Sequence, residues 1–424
     1  MTGRLRQDAV AIFTAGVESA HPGEVTAEAL AQQAWNQPVE VIAFGKAACS
    51  MTAAALAGLP PRLLPSEALA ITDDGNAVDH PRARVMVAGH PFPDQAGLRA
   101  AAVVRERLRR AGTGTTLLTL ISGGGSALLP APVPGVSLDD KVAATGLLLA
   151  CGARIDEINT VRKHLSTLKG GWMTALAFPA QVRSLILSDV PDDDPGVIGS
   201  GPTVPDPTTF ADALAVIDRY QLAGSMPATV MEYLRAGAAG LRPETPKPAD
   251  PVFATESHRV IGGPRLALAG AARRAQALGY QVVRTRDPLA GEARLLGEAM
   301  AKSGGSHPLP AALIWGGETT VTVRGCGRGG RSQELALAFA LAATQLDEPW
   351  VLVAGGTDGR DGPTTAAGGV VDSGTIGRIR AAGLDPRALL DDNDSHQALT
   401  AAGDLLITGP TGTNVADLAI LLLG

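Results

Sequence analysis

One unit recurs along this chain and constrains its fold more than any other feature: a short apolar run, a glycine-rich turn, then an Ala/Leu-rich stretch of helical pattern. It stands at VEVIAFGKAACSMTAAAL, TLLTLISGGGSALL, RSLILSDVPDDDPG and PWVLVAGGTDGRDG. Apolar strands without polar alternation are buried on both faces, and such strands alternating with helices indicate an α/β fold with a mostly parallel sheet. Ligands of these sheets bind outside the carboxyl ends of the strands. Each of the four turns falls at such an end.

At 424 residues the chain suits two domains. Its 51 Gly and 30 Pro do not mark disorder, because the 45% of hydrophobic residues lie in periodic runs between the turns. In LRPETPKPADPV, residues 241–252, four prolines favour extended, poorly packed backbone. The expected organisation is therefore an N-terminal Rossmann-like domain over 1–240, a linker over 241–252 and a smaller α/β domain over 253–424. A net charge of −6, 3% aromatic residues and no basic block argue against nucleic acid as a partner. Asp8 and Glu18 interrupt the N-terminus before the core of a signal peptide builds up, and no apolar run approaches the ~20 residues of a membrane span. Cys49, Cys151 and Cys326 are isolated and odd in number, which fits a reducing, cytoplasmic setting better than a disulfide framework.

The stretch from Gly316 to Ala340 joins strand-like alternation, a glycine loop with Arg324, Arg328 and Arg331, and a helical pattern. Backbone N–H groups at a helix start, together with guanidinium forks, grip anions. Gly325, Gly327 and Gly330 also satisfy G-x-G-x-x-G, with Asp347 and Glu348 about 20 residues on, as in a dinucleotide fingerprint. A ribose-binding carboxylate ends the second strand of that fold, whereas this pair precedes WVLVAG. The loop is therefore read as an anion site rather than a dinucleotide site.

The other turns carry chemistry of the same kind. Lys46 follows a buried strand and opens a helix, where its ammonium can lie over a bound anion. Ser122, Gly123, Gly124, Gly125 and Ser126 have the make-up of a phosphate nest, though a tight strand-to-helix turn needs the same glycines. Asp189, Asp192, Asp193 and Asp194 crowd one loop, and Asp358 and Asp361 lie in a second. Packed carboxylates stay solvated or meet a cation, and Mg²⁺, which keeps waters for phosphate oxygens, is the natural candidate. Arg162, Lys163, His164 and Lys169 gather in NTVRKHLSTLKGG. There His164 reads as a substrate contact at most, and His90 in GHPFPD carries the same ambiguity. No histidine spacing supports zinc. Cations, acidic loops and glycine nests at strand ends fit phosphoryl transfer, which needs charge neutralisation and alignment more than covalent chemistry.

The ordered motifs GKAACSM, GHPFPD, ISGGGSALL, NTVRKHLSTLKGG, SDVPDDDPGVIGSGPT, GGETTVTVRGCGRGGRSQE, GTDGRDGPTTAAG and TGPTGTNVADL resemble those of glycerate 2-kinases, the family with a C-terminal MOFRL domain. The resemblance runs from Gly45 to Leu418. It implies two α/β domains with the active site in the cleft between them, and ATP-dependent conversion of D-glycerate to 2-phosphoglycerate, with Mg²⁺; many members carry the label hydroxypyruvate reductase. By position, Lys46 and Arg331 resemble the pair that stabilises the transferring phosphoryl group. Ser122 to Ser126 resembles a phosphate or substrate loop, while Asp189, Asp358 and Asp361 resemble cleft-lining acidic positions. Ser332 and Thr365 stand where the family pattern has Asn and Asp. The implied assignment puts the glycerate carboxylate on Arg162 and Lys169, with His164 nearby, and nucleotide on the glycine loops, including Gly325, Gly327, Arg328 and Gly330. Asp189 is the candidate proton acceptor, and Asp189, Asp193, Asp358 and Asp361 are the candidate metal positions. An NAD(P)H-dependent hydroxypyruvate reductase and a non-catalytic nucleotide or hydroxy-acid sensor are the rival functions, and a homodimer is left open.

Overall fold

The computed structural model describes residues 2–190, 193–285, 288–303 and 307–424, and the chain divides into two compact units. One is Pro22–Ile261; the other combines Met1–His21 with Gly262–Gly424.

The first unit is built on β1 (Val39–Phe44), β2 (Ala68–Thr72), β3 (Ala83–Val87), β4 (Thr116–Ile121), β5 (Gln181–Leu187) and β6 (Glu256–Gly262), in the order β3-β2-β1-β4-β5-β6. The pairs β3–β2, β2–β1, β1–β4 and β4–β5 are all parallel. The chain begins this sheet in its middle, winds outward to β3, and returns on the other side of β1 as β4. Strand order thus reverses between β1 and β4, the place where such sheets open a crevice for ligands. β2 and β4 are buried along their whole length, as their unbroken apolar sequences require. Ile42, Phe44, Leu69, Leu117 and Ile121 form the core with Val104 and Leu108 of helix Gln95–Arg110. A second core lies among helices Leu138–Ala150, Ile155–His164, Phe210–Arg219 and Ala228–Ala238.

The second unit carries β7 (Gln281–Arg284), β8 (Ala311–Gly317), β9 (Trp350–Gly356), β10 (Gly368–Asp372), β11 (Leu405–Leu406) and β12 (Asp417–Leu423), in the order β11-β10-β9-β12-β8-β7. Here β9 is antiparallel to both neighbours, β10 and β12, while β7 and β8 run parallel. The α/β expectation therefore holds for both units, with a mostly parallel sheet in the first and a mixed sheet in the second.

The divide does not fall at 241–252. That stretch is bound into the first unit: Thr245 is buried and donates to Asp206 at 2.9 Å, the Asp206 N–H donates to Pro246 O at 2.9 Å, and Glu244 accepts from the Phe210 N–H at 2.9 Å. Prolines favour extended backbone, but here its polar groups find partners on the surface it crosses. Nor does the N-terminal helix, Thr2–Ser19, join the sheet that follows it. Its buried stripe of Leu5, Ala9, Ile12, Phe13, Gly16 and Val17 belongs to the second unit. Gly16 allows close approach there, since a Cβ at this position would lie 2.8 Å from Leu418 and 3.0 Å from the Ala267 carbonyl. Arg6 fastens the helix by pairing with buried Asp372 and, at 2.8 Å, with Asp404. No described helix is long and apolar enough to cross a membrane.

Candidate active site

In the first unit, the turns after β1 and β4 are laced together. The Lys46 N–H donates to Gly123 O at 2.9 Å, the Ala47 N–H to Ser122 Oγ at 3.0 Å and the Ser122 N–H to Phe44 O at 3.1 Å. Gly45, at φ +120°, leaves no room for a side chain: a Cβ would meet Ser122 Oγ at 2.2 Å. What surrounds the next two glycines defines the site. A Cβ on Gly123 would lie 2.2 Å from Asp189 Oδ2, and one on Gly124 would lie 3.1 Å from the His90 ring and 3.4 Å from Lys46 Cγ. The Lys46 side chain, a carboxylate and an imidazole thus converge on a two-glycine backbone at the switch point. His90 is held below its usual pKa by burial and then by the Lys46 charge, against the pull of Asp73, so its imidazole is neutral at pH 7. Beyond the glycines, Ser126 Oγ lies 2.7 Å from Ser200 Oγ, which donates to Asn159 Oδ1 at 2.9 Å. This chain ties the loop to helix Ile155–His164.

The basic segment of that helix divides in two. Lys163 and His164 are held by partners within the chain: Lys163 pairs with buried Asp206 at 3.4 Å, while His164 bonds Thr160 O at 2.8 Å and Glu244 at 3.1 Å and packs against Phe210 at 4.7 Å between centroids. A cavity of about 270 Å³ has His164, Phe210 and Tyr233 in its wall, and none of Lys46, Ser122–Ser126 or Asp189 lines it. His164 therefore lies in a wall apart from the glycine turns. Arg162 and Lys169 are different, because neither has a carboxylate partner among the described residues.

In the second unit, Arg331 opens helix Arg331–Ala342 and grips Asp417 with two bonds of 2.6 and 3.0 Å, while its other nitrogen pairs with Glu318. Burial works against the guanidinium charge, but the bonds to Asp417 and the charges of Glu318 and Asp361 outweigh it and hold Arg331 above its usual pKa. On the partner the balance is reversed: burial pushes Asp417 up to about 6 despite Arg331. The pair is thus a desolvated one whose charge balance is open to change by a further anion or cation.

The glycine loop differs from the expected open nest. Its N–H groups from Arg324 to Arg328 are taken by the turn 391–394: Asn393 Oδ1 accepts from Arg324 at 2.7 Å and Gly325 at 3.1 Å, Asp392 accepts from Cys326 and Gly327, and Asp394 accepts from Arg328. A Cβ at Gly325 or Gly327 would collide with that turn, at 2.3 and 2.4 Å. These glycines give the backbone the room to pack on 391–394. The start of the helix is occupied too. Asp361 accepts from the Ser332 N–H at 3.1 Å and from the Gln333 N–H at 2.8 Å and side chain at 3.0 Å, and a Cβ on Gly330 would press on its carboxylate. Both Asp361 oxygens therefore accept at the start of the helix, Oδ1 one hydrogen bond and Oδ2 two. Arg328 reaches the Pro363 carbonyl at 3.0 Å, and Asp358 caps the Arg360 N–H at 3.0 Å.

Among the described residues no group of three or more His, Cys, Asp or Glu side chains could hold a metal ion; Asp192 lies outside the described residues. A Mg²⁺ bound mainly through water and phosphate needs only one or two carboxylates, which Asp189 and Asp193 could supply. Sequence reading passed over Asn159 and Ser200, the turn 391–394, and Lys141, which lies near Arg162 and Lys169. A signal for Lys141 was present: Leu138, Lys141, Ala144 and Leu148 fall on one helical stripe.

A parallel sheet whose switch point presents a lysine, a glycine turn and a carboxylate defines an α/β protein built to handle an anionic ligand. Comparison with known proteins narrows this class. Residues 8–235 match the domain of unknown function DUF4147, and residues 311–417 match the MOFRL family. The chain is 40% identical to the D-glycerate 2-kinase of Thermotoga maritima, over 99% of its own length and 98% of the relative's. It is 41% identical to a putative hydroxypyruvate reductase of Agrobacterium vitis, over 97% and 93% of the two chains. The crystal structure of a glycerate kinase from Thermotoga maritima aligns with TM-score 0.89 and 38% identity, covering 100% of both chains. The chain belongs to the glycerate kinase family.

Proposed function

We propose that this protein transfers the γ-phosphoryl group of ATP to the 2-hydroxyl of D-glycerate, giving 2-phosphoglycerate and ADP. The observation that carries the reading is the convergence of Lys46, His90 and Asp189 on Gly123–Gly124 at the β1/β4 switch point. The relatives named glycerate kinase support it. Phosphoryl transfer spreads negative charge over the moving group, and a lysine beside glycine N–H donors answers that need without acting as a nucleophile. In this reading Lys46 offsets the developing charge. Asp189 takes the hydroxyl proton, while neutral His90 orients the acceptor. Arg162 and Lys169 hold the glycerate carboxylate. Mg²⁺, when bound, neutralises phosphate oxygens, and Asp189 and Asp193 are the carboxylates that would face it.

The reductase reading has one observation in its favour, the name borne by the Agrobacterium vitis relative. Against it stands the glycine loop, whose N–H groups from Arg324 to Arg328 are already bonded within the chain. The pure protein should release ADP in a D-glycerate-dependent and Mg²⁺-dependent manner, while NADH and NADPH stay unoxidised with hydroxypyruvate. Reductase turnover without ADP release would overturn the kinase reading, and tight binding of nucleotide or glycerate with neither activity would make the protein a sensor.

A further inference from the structure

The buried stripe of helix Leu138–Ala150 includes a charged residue. Lys141 is 6% exposed, and its ammonium donates to Leu165 O at 2.7 Å. Lys169 is 2% exposed and donates to Leu129 O at 3.1 Å. Arg162 lies close enough for its charge to act on both, and no described residue offers it a hydrogen bond or ion pair. Two buried lysines with only neutral carbonyl partners thus lie near a half-buried arginine.

The nearby acids do not balance them. Asp140 serves Ser137 and Thr229; Glu157 serves Arg219, Tyr220 and the Arg154 N–H. Asp206 serves Lys163, Thr208 and Thr245, and Glu244 serves His164, Lys247 and the Phe210 N–H. Burying like charges without a counter-ion costs stability, so such an assembly has the character of a site that receives an anion. Burial, and then Arg162, bring Lys169 down to about 7; burial, then Lys169 and Arg162, hold Lys141 well below its usual pKa.

We propose that Lys141, Arg162 and Lys169 form a single anion receptor in which Lys141 is the third member, and that binding of the substrate carboxylate draws a proton from solvent onto the cluster. The identity of the anion rests on the glycerate reading; the receptor itself does not. The proton leaves buffer and bonds to a neutral lysine amine, while the carboxylate keeps its charge. Because the depressed pKa leaves Lys169 mostly neutral above pH 7, affinity is greatest on the acid side and falls as pH rises. For one linked proton the loss is about tenfold per pH unit between pH 8 and 9.

Calorimetric titration of the full chain at pH 8, in two buffers of different ionisation enthalpy, reads the proton directly. D-glycerate is one probe and sulfate, which does not titrate there, is the other. The expected result is uptake of about one proton per anion. Lys141→Met should weaken D-glycerate binding at least about tenfold, Lys141→Arg should restore much of it, and Lys141→Met should also raise the melting temperature, because a desolvated amine without a carboxylate partner has gone. Normal D-glycerate affinity with no proton uptake in the wild-type protein would overturn the proposal, and so would a Lys141→Met protein that melts earlier yet binds as before. Sulfate uptake linked to a proton, without D-glycerate binding, would keep the receptor and remove the glycerate reading. D-glycerate phosphorylation without a linked proton would do the reverse.

Discussion

Lys46→Ala is expected to lower kcat by about a hundredfold to a thousandfold at saturating D-glycerate and ATP, the usual cost of removing one donor aimed at transition-state charge. Lys46 reaches this position through its backbone. Its N–H is bonded to Gly123 O, and its side chain lies beside Gly124. Alanine keeps those backbone bonds, so melting should change little while turnover collapses. Steady-state kinetics with both substrates varied make the check. A normal kcat with only a raised KM would recast Lys46 as a binding group, and an unchanged kcat/KM would remove it from the site.

Asp361→Ala is expected to destabilise the second unit by about 2–4 kcal/mol, from a lost helix cap together with buried donors left unpaired. Asp361 is 4% exposed, and its two oxygens satisfy the Ser332 and Gln333 N–H groups and the Gln333 side chain. Calorimetry or hydrogen exchange on residues of helix Arg331–Ala342 would register the loss. Asp361→Asn retains one acceptor and should recover part of the stability. Its Mg²⁺ concentration for half-maximal activity should match the wild type. A large rise in that concentration, with normal melting, would mean that the carboxylate serves a metal rather than the helix.

The strand ends were legible in the sequence because their signal is local. VEVIAF, TLLTLI and RSLILS are apolar without alternation and run into glycine or aspartate turns, and they became β1, β4 and β5 of the parallel sheet. WVLVAG has the same pattern yet lies antiparallel between β10 and β12. An unbroken apolar run reports burial on both faces and carries no record of its neighbours' direction. Pairing between distant segments was equally hidden. Nothing local says that helix Thr2–Ser19 belongs with Gly262–Gly424, since its apolar stripe would suit any sheet of matching shape.

The site shows the same division. The meeting of Lys46, Asp189 and the Gly123–Gly124 turn was readable because each follows a strand of one parallel sheet. Gly325 and Gly327 looked like an empty nest because a glycine motif does not reveal what packs on it, and the side chains that accept from this loop lie 66 to 69 positions downstream. His164 drew notice by its chemistry but is held by Thr160 and Glu244. Lys141 passed unnoticed because lysine on a helix is usually solvated, although its place on the stripe with Leu138 and Leu148 marked it as buried.

The most direct test of the account is the identity of the product. Pure protein incubated with D-glycerate, ATP and Mg²⁺ and followed by phosphorus NMR should accumulate 2-phosphoglycerate and ADP in equal amounts, with nothing formed when Mg²⁺ is chelated. Accumulation of 3-phosphoglycerate, or of no phosphorylated acid at all, would contradict it.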